Sequence, residues 1–418
     1  MRVTLFIDSL GPGGAQRQIT LLAVALKKRH HQVRMLVYHP HDHFLPALED
    51  AGVPCQLLTG RTKWQKMFEV RNALRHGLQD VVLAFLGGPA LYAELAGLPA
   101  RHWGLVVGER LAFPALSSAR ARWLRWLHHF ADAVVTNSHT CGLMLKETLP
   151  ELSGKIVTVY NATDLRTFSP AAQNKAPGLA SRLRIVVASS YQQKKNMLGV
   201  AKALDMLRMG SPGSDVVVDW YGGPGPTPAP LDAAKDFAVR RQLGDRLRFH
   251  GPIREIEKEY AAADAVGLLS FYEGLPNSIC EGLACGKPVI LSDVCDAGSL
   301  VTEGENGFTC DPRSPESIAT AFQRFAALSP ESRRRMGEAS RRKAEILFAQ
   351  DTILDRYEQI LVAAAARRPL PTGCAWPQAV PDSAHRTIAR WSGGLPRPED
   401  RSAQHACGKE SAGGTCRS

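Results

Sequence analysis

The sequence predicts an α/β protein of two similar units, each a parallel sheet flanked by helices, facing one another across a cleft. Three observations lead there. From Arg2 to about Arg368, short apolar runs alternate with amphipathic stretches, the pattern of strands joined by crossover helices. The runs fall into two series, divided by the polar, proline-containing stretch Ser169–Ser181. The length of 418 residues suits two or three domains.

Strands of the first series are predicted at Val3–Asp8, Val33–Tyr38, Val81–Phe85, Gly104–Val107, Ala133–Thr136 and Ile156–Tyr160. The first helix, Ala15 to Lys28, places Ala15, Ile19, Leu22 and Leu26 on one face. The second series runs through Leu183–Ala188, Val216–Tyr221, Leu247–His250, Ala265–Leu269, Pro288–Leu291 and Gly307–Thr309, separated by helical patterns that include Asn196–Met209 and Ile253–Ala262. Longer helical patterns follow at Pro315–Leu328, Pro330–Leu347 and Asp351–Ala366. Beyond Arg368 the composition turns to Pro, Gly, Ser and Arg with little periodicity. The expected organisation is therefore a first unit at 1–168, a linker at 169–181, a second unit at 182–350, a helix at 351–368 and a disordered tail at 369–418.

Composition narrows the class. A 44% hydrophobic content excludes wholesale disorder. No run of about 18 apolar residues is present, so no spanning helix is expected. The opening apolar run is too short for a signal peptide and reads as a strand. Nine Cys without close pairs argue against a zinc or redox motif and for free thiols in a reducing cytoplasm. The net charge of +11 favours anionic partners.

The most informative stretch is Ser270-Phe-Tyr-Glu-Gly-Leu-Pro-Asn-Ser-Ile-Cys-Glu-Gly-Leu-Ala-Cys-Gly-Lys-Pro-Val-Ile. A buried strand ends near Leu269, Gly274 permits close backbone approach, Pro276 suits the first turn of a helix, and Gly286 ends that helix before Pro288. Free N–H groups at the helix start suit a phosphate. Glu273 and Glu281 flank that start, and a carboxylate can accept both hydrogen bonds of a vicinal diol. On these residues alone, a capped surface helix with two solvated acids remains the simpler alternative. Three further segments stand out. Gly11-Pro-Gly-Gly-Ala-Gln-Arg follows the first strand, and Ser189-Ser-Tyr-Gln-Gln-Lys-Lys-Asn follows the first strand of the second series. Residues 119–130 interleave Arg122 and Arg125 with Trp123, Trp126 and Phe130. This is either an inward-packing helix or one that lies on an anionic membrane. His39-Pro-His-Asp-His reads as a polar loop, and no Asp-x-Asp occurs, so no metal is expected.

Two Glu separated by seven residues, within Glu-Gly-Leu-Pro-Asn-Ser and followed by Cys-Gly-Lys-Pro-Val, resemble the donor-site motif of glycosyltransferase family 4. Glu303-Gly-Glu-Asn-Gly-Phe, Ala261-Ala-Ala-Asp and Tyr160-Asn-Ala-Thr-Asp fit the same family, and the likeness spans about residues 1–365. The resemblance implies the GT-B fold, α/β with two Rossmann-like domains, the first binding the acceptor and the second a nucleotide-sugar. The 351–368 helix would cross back to the first domain. It implies a retaining, metal-independent transferase with no cofactor, working by front-face attack in polysaccharide or glycolipid assembly. Glu273 and Lys195 take the catalytic places. Glu281 holds the ribose, and Gly274, Leu275, Pro276, Asn277, Ser278, Gly13 and Gly14 line the donor. Ser190 falls where the family commonly has Arg, which removes half of a cationic clamp on the diphosphate. Glu109 and Arg110 in Gly108-Glu-Arg fall on the acceptor side, although an ion pair explains Glu109 equally well. Expected partners are a nucleotide-sugar, a saccharide or lipid-linked acceptor and an anionic membrane contacted through 119–130, with no nucleic acid. The expected location is the cytoplasm, at the membrane face where a lipid-linked acceptor would be presented. Two rivals remain: a non-catalytic nucleotide-sugar-binding protein and a glycoside hydrolase using Glu273 and Glu281.

Overall fold

The computed structural model describes residues 1–110, 119–170, 182–210, 215–371 and 380–392. The expected linker lies almost wholly outside the described residues.

The first unit carries strands β1 (Arg2–Phe6), β2 (Gln32–Val37), β3 (Cys55–Leu57), β4 (Val81–Phe85), β5 (Gly104–Glu109), β6 (Ala133–Thr136) and β7 (Ile156–Thr158). Its helices are α1 (Gly14–Lys28), α2 (Leu45–Asp50), α3 (Lys63–Arg75), α4 (Gly87–Ala96), α5 (Ala119–Trp126) and α6 (His139–Thr148). The second unit carries β8 (Leu183–Ala188), β9 (Val216–Tyr221), β10 (Leu247–His250), β11 (Ala265–Leu268), β12 (Val289–Ser292) and β13 (Gly307–Cys310). Its helices are α7 (Met197–Gly210), α8 (Ala229–Arg240), α9 (Ile256–Ala262), α10 (Asn277–Ala284), α11 (Ala297–Leu300), α12 (Pro315–Ala326) and α13 (Pro330–Phe348). Two more follow, α14 (Gln350–Ala365) and α15 (Asp382–Ser392).

Among the described residues both sheets are parallel throughout, in the orders β3-β2-β1-β4-β5-β6-β7 and β10-β9-β8-β11-β12-β13. Helices cover both faces, so central strands such as Val81–Phe85 are buried at every residue. Chain direction through each sheet reverses between β1 and β4 and between β8 and β11. The region beyond the carboxyl ends of those strands is the usual ligand position in such sheets. The Gly11–Arg17 loop follows β1, the Ser189–Asn196 loop follows β8, and the Glu273 loop follows β11. The topology therefore gathers all three glycine- or lysine-bearing loops at two switch points.

Helix α14 leaves the second unit and packs on β4, β5 and α1 of the first. Gly104 permits this approach, because a Cβ there would sit 2.3 Å from the Ala364 carbonyl oxygen. Two elements differ from the sequence reading. β3 is a three-residue edge strand with half-exposed to exposed side chains, too short to show alternation. The tail was expected to be disordered from 369, yet 382–392 is helical. Its buried face is made of Ser383, Ala384 and Thr387, so no large apolar period announced it.

A buried charge cluster holds the 119–130 segment to the sheet. His128 Nδ1 lies 2.6 Å from Glu94 and Nε2 3.2 Å from Glu109, while Arg125 is 3.4 Å from Glu109. Burial opposes the imidazolium charge, but the hydrogen bonds to Glu109 and Glu94 outweigh it and push the pKa up to about 9. A raised folded-state pKa stabilises fully below the ordinary value of 6.5 and loses that contribution as pH rises through about 9. Thermal unfolding followed from pH 6 to 9.5 is expected to show about 3 kcal/mol of this stability fading. His128→Gln is expected to be less stable at pH 7 and to flatten the decline.

Candidate functional site

Two loops of the second unit are laced together. The Phe271 N–H donates to the Lys194 carbonyl at 2.8 Å. Lys195 Nζ then meets Glu273 Oε1 at 2.5 Å, with both side chains largely buried. Lys194 lies beside them, 5.5 Å from the centre of the Tyr272 ring. Burial lowers its pKa, with Glu273 pulling the other way. Asn196 closes the turn in the left-handed region, and its side chain donates to the Pro312 carbonyl at 2.7 Å.

The chain next turns through Gly274, Leu275 and Pro276 into α10. Pro276 stands at the cap with an extended backbone, and no side chain caps the helix. The amides of Asn277 and Ser278 fall in the first turn, where an α-helix has no internal acceptor for them. On the first unit, α1 begins at Gly14 with Gly13 at its cap position, again with no side-chain cap. A Cβ on Gly14 would sit 2.8 Å from the Asn277 side-chain nitrogen, so any larger residue there would displace that amide. Two uncapped helix N-termini, one from each unit, thus converge on the same gap and make it favourable for an anion.

One turn into α10, Glu281 is buried and accepts from Arg17 of α1 at 2.6 Å. Tyr260 donates to its other oxygen at 3.5 Å. Burial raises the Glu281 pKa, while Arg17 works against the rise. The Arg17 guanidinium also lies 5.2 Å from the centre of the Phe168 ring.

The first unit supplies a second chain of contacts. Arg110 stacks over Phe85 at 3.9 Å, donates to Asn161 at 2.6 Å and bonds the Tyr357 hydroxyl. Asn161 in turn donates to Asn277 at 2.8 Å. Gly274 faces this wall, where a Cβ would lie 3.4 Å from the Arg110 carbonyl and 3.5 Å from Asn137. Among the described residues, the buried Asn137 Oδ1 atom has no hydrogen-bond partner.

Of the residues singled out in the sequence, Glu281, Asn277, Gly274, Gly14 and Arg110 take part in close approaches between the units, Lys195 pairs with Glu273 in the adjoining loops, and Gly13, Leu275, Pro276 and Ser278 lie at or beside the two helix starts. Ser190 sits at the end of β8, half-buried, and brings no charge. Glu109 stands apart: 3% exposed, its carboxylate oxygens face His128 and Arg125. This is the ion-pair alternative of the two expected for it, and Glu109 is not carried further as an acceptor residue. Residues 119–130 do not simply pack inward, since Trp123 is 58% and Trp126 45% exposed. Tyr260 was missed, since a tyrosine in a helix of the second unit has no spacing that marks it. Asn161 lay within the quoted Tyr160-Asn-Ala segment but had no partner assigned. Among the described residues, no group of three potential metal ligands and no helix long and apolar enough to cross a membrane occurs.

A glycosyltransferase family 4 model matches residues 12–167, and the model of the glycosyl transferases group 1 matches 173–343. A glycogen synthase of Mycobacterium tuberculosis is 27% identical over 300 residues, covering 70% of this chain and 67% of its own. A D-inositol 3-phosphate glycosyltransferase of Corynebacterium glutamicum is 30% identical over 193 residues, 44% of this chain and 46% of the relative, so the chain spans about half of it. The crystal structure of Anabaena HepE in complex with UDP superposes with a TM-score of 0.75 at 19% identity, covering 87% of this chain and all of that one. Two parallel sheets, three loops gathered at their switch points and two family models that span most of the chain agree: the protein is a GT-B glycosyltransferase, a member of family 4 and of the glycosyl transferases group 1.

Proposed function

We propose that the protein moves a sugar from a nucleoside diphosphate to an acceptor hydroxyl with retention of configuration, in polysaccharide or glycolipid assembly. The convergence of the uncapped starts of α1 and α10 beside the Lys195–Glu273 pair carries this reading. The pyrophosphate sits against those helix starts, where fixed dipoles need no reorganisation as charge grows on the leaving group. Lys195 neutralises the same charge, and Glu273 contacts the donor sugar. Glu281 accepts the ribose hydroxyls, taking them in place of Arg17. The freed guanidinium then turns to the diphosphate and replaces the cation that Ser190 does not supply. The acceptor enters from the Arg110 and Asn161 wall, and front-face attack hands its proton to the departing phosphate oxygen. Contact between the two units excludes water and aligns the reactants.

The Anabaena structures in complex with UDP and with UDP-glucose make UDP-sugars the first donors to test. The non-catalytic alternative draws on Ser190, and measuring nucleoside diphosphate release with an acceptor panel separates it from the enzyme. The hydrolase alternative sits poorly with a Glu281 already paired to Arg17.

The aromatic segment supports peripheral contact with an anionic membrane at its cytoplasmic face. Trp123 and Trp126 stand out beside the exposed Arg122, and Trp64 and Phe68 on α3 are 85% and 73% exposed near Lys63 and Lys66. Such side chains seat in the headgroup region while the cations meet acidic lipid.

Three experiments test these statements. Glu281→Ala is expected to weaken UDP binding by about 10- to 100-fold in calorimetry, the worth of lost charge-assisted hydrogen bonds. Glu273→Gln is expected to retain UDP binding but to lower kcat by about 100-fold or more; wild-type turnover in that variant sinks the site assignment. In flotation with vesicles of phosphatidylglycerol and phosphatidylcholine, the Trp123→Ala, Trp126→Ala double variant is expected to bind several-fold less than wild type. Equal binding by the two proteins ends the membrane reading.

A further inference from the structure

Helix α15 lies beyond the residues that either family model matches. It packs against α6 of the first unit and α11 of the second. Its N-terminal turn approaches closely because Gly298 has no side chain; a Cβ there would lie 3.0 Å from Ser383 Oγ and 3.2 Å from Pro381 Cβ. Arg386 pairs with Asp293 at 3.2 Å on the same side.

The centre of this contact is Cys295. Its φ of 54° is a left-handed conformation that is unfavourable for a non-glycine residue and so must be held by its neighbours. Every polar group of the residue is used. Its N–H donates to Thr387 Oγ1 at 2.8 Å, and its carbonyl accepts from Ser383 Oγ at 3.0 Å. The thiol donates to the Glu273 carbonyl at 2.7 Å and accepts from the Glu273 N–H at 3.4 Å. Ser383 Oγ also accepts from the Gly298 N–H at 2.9 Å, and Thr387 Oγ1 donates back to the Ser383 carbonyl at 2.7 Å. Cys295 is 1% exposed and sits with Val294 in the apolar cluster of the first unit, where Ile388 packs against it.

Two hydroxyls of α15 thus hold one strained residue, and that residue braces both main-chain polar groups of Glu273. We infer that Ser383 and Thr387 are positioning residues for the transfer: through Cys295 they fix the backbone from which the Glu273 carboxylate reaches Lys195. The inference rests on the site reading above, in which Glu273 meets the donor sugar. Without the hydroxyls, Cys295 relaxes toward an ordinary conformation and releases the Glu273 peptide. The Glu281 end of α10 is not in this chain of contacts and keeps its geometry.

The test uses the full chain with Ser383→Ala, Thr387→Val as the double variant. Thr387→Ser keeps the hydroxyl, and His385→Ala changes an exposed residue of the same helix. Four quantities are read: the melting temperature, maleimide labelling of Cys295 by peptide mass spectrometry, UDP binding, and kcat and KM with UDP-glucose or whichever UDP-sugar the donor screen turns over fastest. In the double variant, Cys295 labelling is expected to rise about tenfold as local opening becomes easier. Its kcat is expected to fall 10- to 100-fold, about what misplacement of a reacting group costs. UDP binding is expected to stay within about twofold of wild type. Thr387→Ser and His385→Ala are expected to behave as wild type. Faster labelling with unchanged kcat makes α15 a packing element only and overturns the inference, as does unchanged labelling. Parallel loss of UDP binding and melting temperature overturns it in favour of general destabilisation. Full turnover by Glu273→Gln, in contrast, defeats the site reading and leaves the labelling result to judge the α15 contact by itself.

Discussion

The joint between the two units turns on the carboxylate of Asp296. It is fully buried and belongs to the second unit, yet four donors from the first unit converge on it. The His139 and Thr140 N–H groups lie at 2.7 and 2.9 Å, the Thr140 hydroxyl at 2.8 Å and the Tyr160 hydroxyl at 2.7 Å. The two amides belong to the first turn of α6, so the helix dipole favours the charge as well. Stripping a buried carboxylate of such partners costs about 3–5 kcal/mol, and stripping the donors of their acceptor adds to that. The segment 293–300 is therefore held against the first unit, and that contact helps set how the two units meet.

Given that joint, the chemistry of the gap follows from where helices begin. In a parallel sheet every strand delivers the chain at the same edge, and the next helix starts there. Two sheets facing edge to edge therefore aim helix N-termini at one another. At α1 and α10 neither start has a side-chain cap, and glycine lets the two approach. An anion between them meets dipoles and unspent amides before any cation is counted. On the proposed reading, the fold itself supplies positive potential where Ser190 brings none, and Arg17 lies nearby, paired with Glu281.

The strands were legible because parallel strands buried on both faces are continuous apolar runs, as at Val81–Phe85 and Val216–Val218. Edges and contacts made of small residues were not. β3 has three residues, and α15 shows the joint Ser, Ala and Thr, types that also populate loops and tails. Glu109 shows the same limit for single residues. Its place at the end of β5 was readable, but whether it faces the gap or a buried histidine depends on α4 and the segment after α5, which reach it only in the folded chain.

Determined by the sequence alone were the α/β class, the two series of strands, the turn from β11 into α10, the pairing of Glu273 with Glu281 across it, and Lys195 after β8. All of these are local: they rest on periodicity, on glycine and proline at turns, and on residues a few positions apart. The tertiary structure alone decided which groups meet. Arg17 reaches Glu281 across 264 positions of chain, Asn161 reaches Asn277 across 116, and Thr387 reaches Cys295 across 92. No period or spacing encodes such a contact, because its geometry is the outcome of how two sheets and the helices between them pack.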